Sequence, residues 1–197
     1  MGKPVKKHIS GDAEWKEFST RGSEKALESI YNLFYDRLYT YGRKLRFSSH
    51  LTEDAIQNVF VNLLRSRRNL RHIENIFAYL VSSLRNELLR LDNRENTFSL
   101  VELSLVNKAD DNGREDEIIS LESDMKISDT LTKIIRKLPP AQQEIIFLRF
   151  YAGLEYEEIA GILSITVESC RTSVYRSLKA IRKDVESLKQ AGVLFYL

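Results

Sequence analysis

Proline, glycine and cysteine are all scarce in these 197 residues, at three, eight and one. With so few breakers, helices can run long, and an all-β architecture with its frequent turn signals is excluded. The single cysteine, Cys170, has no partner for an internal disulfide, which points to a reducing compartment. No run of about 18 apolar residues exists, and the opening "MGKPVKKHIS" lacks an apolar signal core, so a cytoplasmic chain without direct membrane insertion is expected. Lys6 and Lys7 stand where a myristoylation motif after Gly2 needs Ser or Thr. Catalytic signatures are missing too. His8, His50 and His72 are scattered, neither HExxH nor a glycine-rich phosphate loop occurs, and Cys170 has no base nearby in sequence. No catalytic residue, metal site, cofactor or small-molecule substrate is therefore expected, and the chain is not read as an enzyme.

What is present is apolar content and segregated charge. A hydrophobic fraction of 43% suffices for one or two cores in a chain of this length. The formal net charge of +2 hides blocks of opposite sign. "RSRRNLRH" (Arg65 to His72) is basic. From Glu102 to Asp124 the acids Glu102, Asp110, Asp111, Glu115, Asp116, Glu117, Glu122 and Asp124 face only Lys108 and Arg114. Beyond Leu163 the chain is basic again, with no acid between Glu168 and Asp184. Two basic blocks around an acidic one suggest two polyanion-contacting domains on a tether.

Helical periodicity divides the chain accordingly. Ala26, Leu27, Ile30, Leu33, Phe34, Leu38 and Tyr41 form one amphipathic stripe, with Ser23 as its N-cap. A second helix is expected from about Thr52, which would cap it, with Ile56, Val59, Phe60, Leu63 and Leu64 inward. A third runs from about Asn75 through Leu80, Leu84, Leu88 and Leu91. These define a first domain over 10–95. "NKADDNGREDE" has charge, an Asn-Gly turn signal and little apolar content, so 96–125 reads as a flexible acidic linker. Apolar periodicity resumes at Ile127, Leu131, Ile134 and Leu138, and the second domain occupies 126–190. Pro139 and Pro140 end its first helix, and Gly153 closes the next, "AQQEIIFLRFYAG". The fold class is all-α, with two helical domains.

After Gly153, "EYEEIAGIL" makes a short helix with Ile159, Ile162 and Leu163 inward and Ala160 small enough for close approach. "SIT" is a tight connection, and Thr166 can cap a helix starting at Val167. On that helix Val167, Cys170, Val174, Leu178 and Ile181 share one face, leaving Ser169, Arg171, Thr172, Ser173, Tyr175 and Arg176 outside. Two helices across a three-residue turn, the second basic with short hydrogen-bonding side chains outward, form a helix-turn-helix suited to the DNA major groove. Which side chains meet bases and which meet phosphates stays open at this point.

The segment "LPPAQQEIIFLRFYAGLEYEEIAGILSITVESCRTSVYRSLKAIRK" resembles region 4 of the extracytoplasmic-function group of bacterial RNA polymerase sigma factors. "LTEDAIQNVFVNLLRSRRNL" resembles their region 2.2, with Glu53, Asp54, Gln57, Val59 and Phe60 on matching positions. "IFAYLVSSLRNELLR" resembles regions 2.3 and 2.4, with Tyr79 where an aromatic stands and Asn86 on the usual Asn. The likeness spans residues 23–95 and 126–183 in the family's order.

The resemblance implies an alternative sigma factor whose partners are core RNA polymerase and promoter DNA. Asp54, Gln57, Asn58 and Phe60 would belong to the core-binding helix. Tyr79, Ser82, Ser83, Arg85, Asn86 and Arg90 would hold the melted minus 10 strand, and Ser169, Arg171, Thr172, Ser173, Tyr175 and Arg176 would read the minus 35 duplex. The linker would thread the polymerase interior, its acids occupying a basic channel until RNA displaces them. Three positions depart from the pattern: Arg90 where Asp is frequent, Ser173 where many members have Arg, and Glu155 in place of a capping Ser, which weakens a cap that typically contributes ~1 kcal/mol. The tail "LKQAGVLFYL" has two readings, packing against the second domain or meeting an anti-sigma factor; packing is the favoured one. The rival to the whole reading is a stand-alone helix-turn-helix regulator, which would bind promoter duplex by itself.

Overall fold

A computed structural model describes residues 11–66, 70, 72–95 and 130–190. The linker expected over 96–125, the apolar tail from 191 on, and part of the basic block after Arg65 lie outside the described residues. The described elements are all helical, and the chain divides into two compact units, Met1–Thr97 and Phe98–Leu197.

The first unit contains α1 (Asp12–Arg21), α2 (Glu24–Lys44), α3 (Ser49–Ser66) and α4 (Ile76–Glu95). Helix α1 is an addition to the periodicity reading. Glycines at positive φ bracket it, Gly11 at 54° and Gly22 at 74°, and the Gly22 N–H closes its end on the Phe18 carbonyl at 2.8 Å. Its apolar content is small, but Trp15 and Phe18 are buried, each worth roughly 1.5–3 kcal/mol of transfer free energy. Ser23 caps α2 as expected, accepting from Ala26 N–H at 3.2 Å. Ile30, Phe34, Leu38, Ile56, Leu80 and Leu84 are wholly buried and form the core between α2, α3 and α4. Phe34 stacks on Phe77 at 5.3 Å between centroids, and the Arg37 guanidinium lies 3.6 Å over the Phe77 ring.

The start of α3 corrects the sequence reading. Ser48, not Thr52, supplies the capping oxygen, accepting from Leu51 N–H at 3.2 Å. Thr52 lies inside the helix and is completely buried; its hydroxyl donates to the Ser48 carbonyl at 2.8 Å. Leu64, expected inward, is 50% exposed. Asn75 caps α4 by accepting from Ala78 N–H at 3.1 Å.

The second unit begins, within the described residues, with a helical stretch at 130–136 (α5). Pro139 breaks it, and Pro140 opens α6 (Pro140–Ile146), where a proline without an N–H costs nothing. The Gln143 side-chain amide donates back to the Leu138 carbonyl at 2.6 Å, tying the corner. Helix α6 continues into a π-helical turn, Phe147–Tyr151, closed by Ala152 N–H on the Phe147 carbonyl at 2.9 Å. Gly153 then reverses the chain at φ 75°. Helices α7 (Tyr156–Leu163) and α8 (Val167–Gln190) follow. Leu148, Ile159 and Cys170 are wholly buried at the centre of this unit.

Candidate nucleic-acid interface

The turn between α7 and α8 is built from local chemistry. Ser164 takes the left-handed conformation at φ 55° as the C-cap of α7, and Ile165 N–H bonds the Ala160 carbonyl at 3.0 Å. Thr166 Oγ1 accepts from Ser169 N–H at 3.1 Å and lies 2.8 Å from Ser169 Oγ, so it caps α8 as expected. Ala160 is buried, while a side chain at Gly161 would enter open space. Glu155 is less of a loss than the sequence suggested. Its N–H is capped by the Glu158 carboxylate at 2.7 Å, and its own carboxylate pairs with Arg149 at 2.8 Å.

On α8, Cys170 and Val174 face the core, and burial pushes the Cys170 thiol above its ordinary pKa, so it is an apolar filler and not a nucleophile. The inward face drifts from expectation further along. Leu178 is 42% exposed, and Ser177 is buried in its place, with Oγ 2.8 Å from the Ser173 carbonyl and 3.2 Å from Gln142 Oε1. At 100° per residue Ser177 lies about 20° from Cys170 and Leu178 about 80°, and the apolar pattern missed this because a serine carries no hydrophobic signal. Ser169, Arg171, Thr172, Tyr175 and Arg176 are exposed together, and Ser173 is half-buried beside them. Tyr175, at 68% exposure, is the most open of the large apolar side chains among the described residues. Arg171 pairs with Glu157 at 3.2 Å, and further along Lys137 pairs with Asp184 at 2.9 Å to hold α8 against the corner after α5. Neither contact to Glu157 nor any role for Arg149 and Tyr156 was legible in the sequence, since they depend on which face of α7 meets α8.

The first unit presents two further surfaces. On α4, Tyr79, Ser82, Ser83, Asn86 and Arg90 follow the i, i+3, i+4, i+7, i+11 spacing of a single stripe. Arg85 does not belong to it, lying about a third of a turn away at 100° per residue. Tyr79 is half-buried, with its ring 6.5 Å from Trp15, a neighbour that only the presence of α1 could reveal. Arg90 is held by the buried carboxylate of Glu87 through two contacts, one at 2.8 Å. On α3, Asp54 and Asn58 are half-buried and Gln57 is exposed, but Phe60 is not a surface residue. It is 7% exposed and packs edge-on against Tyr31 at 5.0 Å. The apolar side chains on the open face of α3 are instead Val61 and Leu64. Among the described residues no cluster of three His, Cys, Asp or Glu could hold a metal, and no helix is long and apolar enough to cross a membrane.

Family models match both units in order: "Sigma-70 region 2" over residues 30–96 and "Sigma-70, region 4" over residues 128–181. The chain is also 25% identical over 179 residues to the ECF RNA polymerase sigma factor SigW of Bacillus subtilis, covering 85% of this chain and 93% of that protein. The chain belongs to the extracytoplasmic-function group of the sigma-70 family. Another such relative is the ECF RNA polymerase sigma-E factor of Escherichia coli K12, 27% identical over 143 residues, with 68% and 74% of the two chains covered. The solved fold of the sigma factor RpoE of Bartonella quintana, determined with the anti-sigma factor NepR, superimposes with a TM-score of 0.61 at 19% identity, covering 82% of this chain and 98% of that one. Region 2 thus takes in most of α2 together with α3 and α4, while α1 precedes it. Region 4 contains the helix-turn-helix of α7 and α8, and its match ends within α8 at residue 181.

Proposed function

We propose that this chain is an alternative sigma factor of the cytoplasm, which binds core RNA polymerase and directs it to promoters without making a covalent change itself. The observation that carries the reading is the ordered pair of sigma-70 regions on two helical units, the second of which exposes Ser169, Arg171, Thr172, Tyr175 and Arg176 along one helix. In this reading 10–95 engages polymerase and the minus 10 element, 96–125 is the tether, and 126–190 reads the minus 35 duplex. The open face of α3, with Asp54, Gln57, Asn58, Val61 and Leu64, suits docking on the polymerase. Two apolar side chains ringed by polar ones provide desolvated contact area with a hydrogen-bonding rim. The stripe of Tyr79, Ser82, Ser83, Asn86 and Arg90 suits a single strand: an aromatic face for stacking, small hydroxyls and an amide for base edges, and a cation for the backbone. An anti-sigma factor is a further expected partner.

Size-exclusion chromatography of the purified chain with bacterial core RNA polymerase, without DNA, tests this reading. A stoichiometric complex is expected. A folded chain that fails to co-elute, yet binds promoter duplex by itself, would establish a stand-alone regulator instead.

A further inference from the structure

Arg171 and Arg176 both stand exposed on α8, five residues apart, but their surroundings differ. Arg171 Nη2 donates to Glu157 Oε1 at 3.2 Å, and its guanidinium carbon lies 5.4 Å from the centre of the Tyr156 ring. Both partners sit in the first turn of α7, so the contact crosses the turn of the helix-turn-helix. The Tyr156 ring is itself braced, because the Arg149 guanidinium lies 4.6 Å from its centre. Arg149 is fixed in turn by the Leu154 carbonyl at 2.7 Å and the Glu155 carboxylate at 2.8 Å. Arg176 makes no ion pair among the described residues; Lys179 and Lys183 stand exposed three and seven residues further along the same face of α8.

We infer that Glu157 and Tyr156 are specificity-determining positioning residues: they hold Arg171 as a reader of a base edge and leave Arg176 to track phosphate. The inference rests on the sigma-factor reading and assigns roles within its DNA-binding surface. Stability does not explain the Glu157 pair. Its side chains are 59% and 62% exposed, and an exposed ion pair contributes little to folding. Nor does attraction to DNA explain it. A carboxylate beside an arginine opposes the phosphate contact and counterion release that drive sequence-blind binding. What the pair does supply is orientation. Bidentate recognition of guanine O6 and N7 needs the planar guanidinium fork held at one angle, and a free arginine loses rotamer freedom to reach it. A carboxylate and an aromatic ring at one side of the fork remove that loss in advance and keep the remaining N–H groups for DNA.

The test uses the full chain assembled with core polymerase. Its probe is the tightest-binding duplex recovered by this holoenzyme from a pool with randomised upstream bases. Every base pair of its upstream element is then substituted singly. The unsubstituted holoenzyme should lose about tenfold or more at one base pair read by Arg171. Arg171→Ala should abolish discrimination at that base pair. Glu157→Gln and Glu157→Ala should flatten the same step several-fold, while affinity for unrelated duplex holds or rises and the melting curve stays unchanged. Tyr156→Leu should act at the same base pair. Arg176→Ala should weaken all sequences evenly and reduce the salt slope by about one. A Glu157→Ala scan that superimposes on the unsubstituted one overturns the inference, as does a sequence-blind loss from Arg171→Ala. Recovery of no preferred sequence by the unsubstituted holoenzyme would overturn the sigma-factor reading as well, so the two failures are separable.

Discussion

Gly42 shows how much one missing carbon can decide. A Cβ at this position of α2 would lie 2.4 Å from Thr52 Cγ2 and 2.9 Å from its Oγ1, so α2 and α3 touch here because Gly42 has no side chain. Gly42→Ala should lower stability by ~1–3 kcal/mol through overpacking, despite the better helix propensity of alanine. The double variant Gly42→Ala with Thr52→Ser should recover part of the loss. Urea unfolding followed by far-UV circular dichroism measures both, and an alanine chain as stable as the original would mean that the two helices separate at no cost. Thr52 also marks the limit of reading residues in sequence. A threonine followed by Glu53 and Asp54 has the signature of a helix start, and nothing local distinguishes it from a buried residue three positions into the helix. The distinction comes from Gly42, ten positions earlier in the chain.

Among elements, α2 and α4 were legible almost entirely, because each carries a capping side chain and a long apolar stripe, whereas α7 was found by its short stripe and its carboxylate cap was underrated. Helix α1 was not legible, since its buried apolar side chains are Trp15 and Phe18, too few positions to establish a period. The π-helical turn at Phe147–Tyr151 was equally silent: it leaves Phe150 and Tyr151 more than half exposed within a run that reads as apolar. Helix α3 begins three residues before the expected Thr52, and of its expected inward stripe only Leu64 faces out. Phe60 and Leu64 belong to the same apparent stripe, and the structure buries the first and exposes the second. That difference makes a test. Leu64→Ser should leave folding within about 0.5 kcal/mol but weaken binding to core polymerase by ~1–2 kcal/mol, as expected for an apolar contact inside an interface. Phe60→Ala should cost ~3–5 kcal/mol of stability and lose binding only through unfolding. Equilibrium titration with labelled core polymerase, beside melting curves, separates the two; undiminished affinity of Leu64→Ser would remove the α3 face from the polymerase contact.

At the scale of the whole chain, the arrangement of charge carries more than its sum. A formal net charge of +2 gives no hint of a nucleic-acid partner, whereas the segregation of Glu102 to Asp124 from the basic stretch after Leu163 does. Replacing residues 102–124 by a neutral Gly/Ser sequence of equal length should reduce transcript output in a promoter assay while leaving co-elution with core polymerase intact. Unchanged output would end the idea that these acids occupy a nucleic-acid channel. The ordering of the two regions was readable because each carries several motifs at fixed spacing, but the contact between Glu157 and Arg171 was not, since it forms only once α7 and α8 fold together. The burial of Cys170 has one further consequence for the intact molecule. As the single thiol of the chain, shielded and kept protonated, it leaves the surface free of competing sulfur chemistry. Cysteines introduced at the exposed positions Glu28 and Glu186 would therefore be the sites a maleimide dye meets, and energy transfer between them would register the span of the two halves before and after polymerase is added.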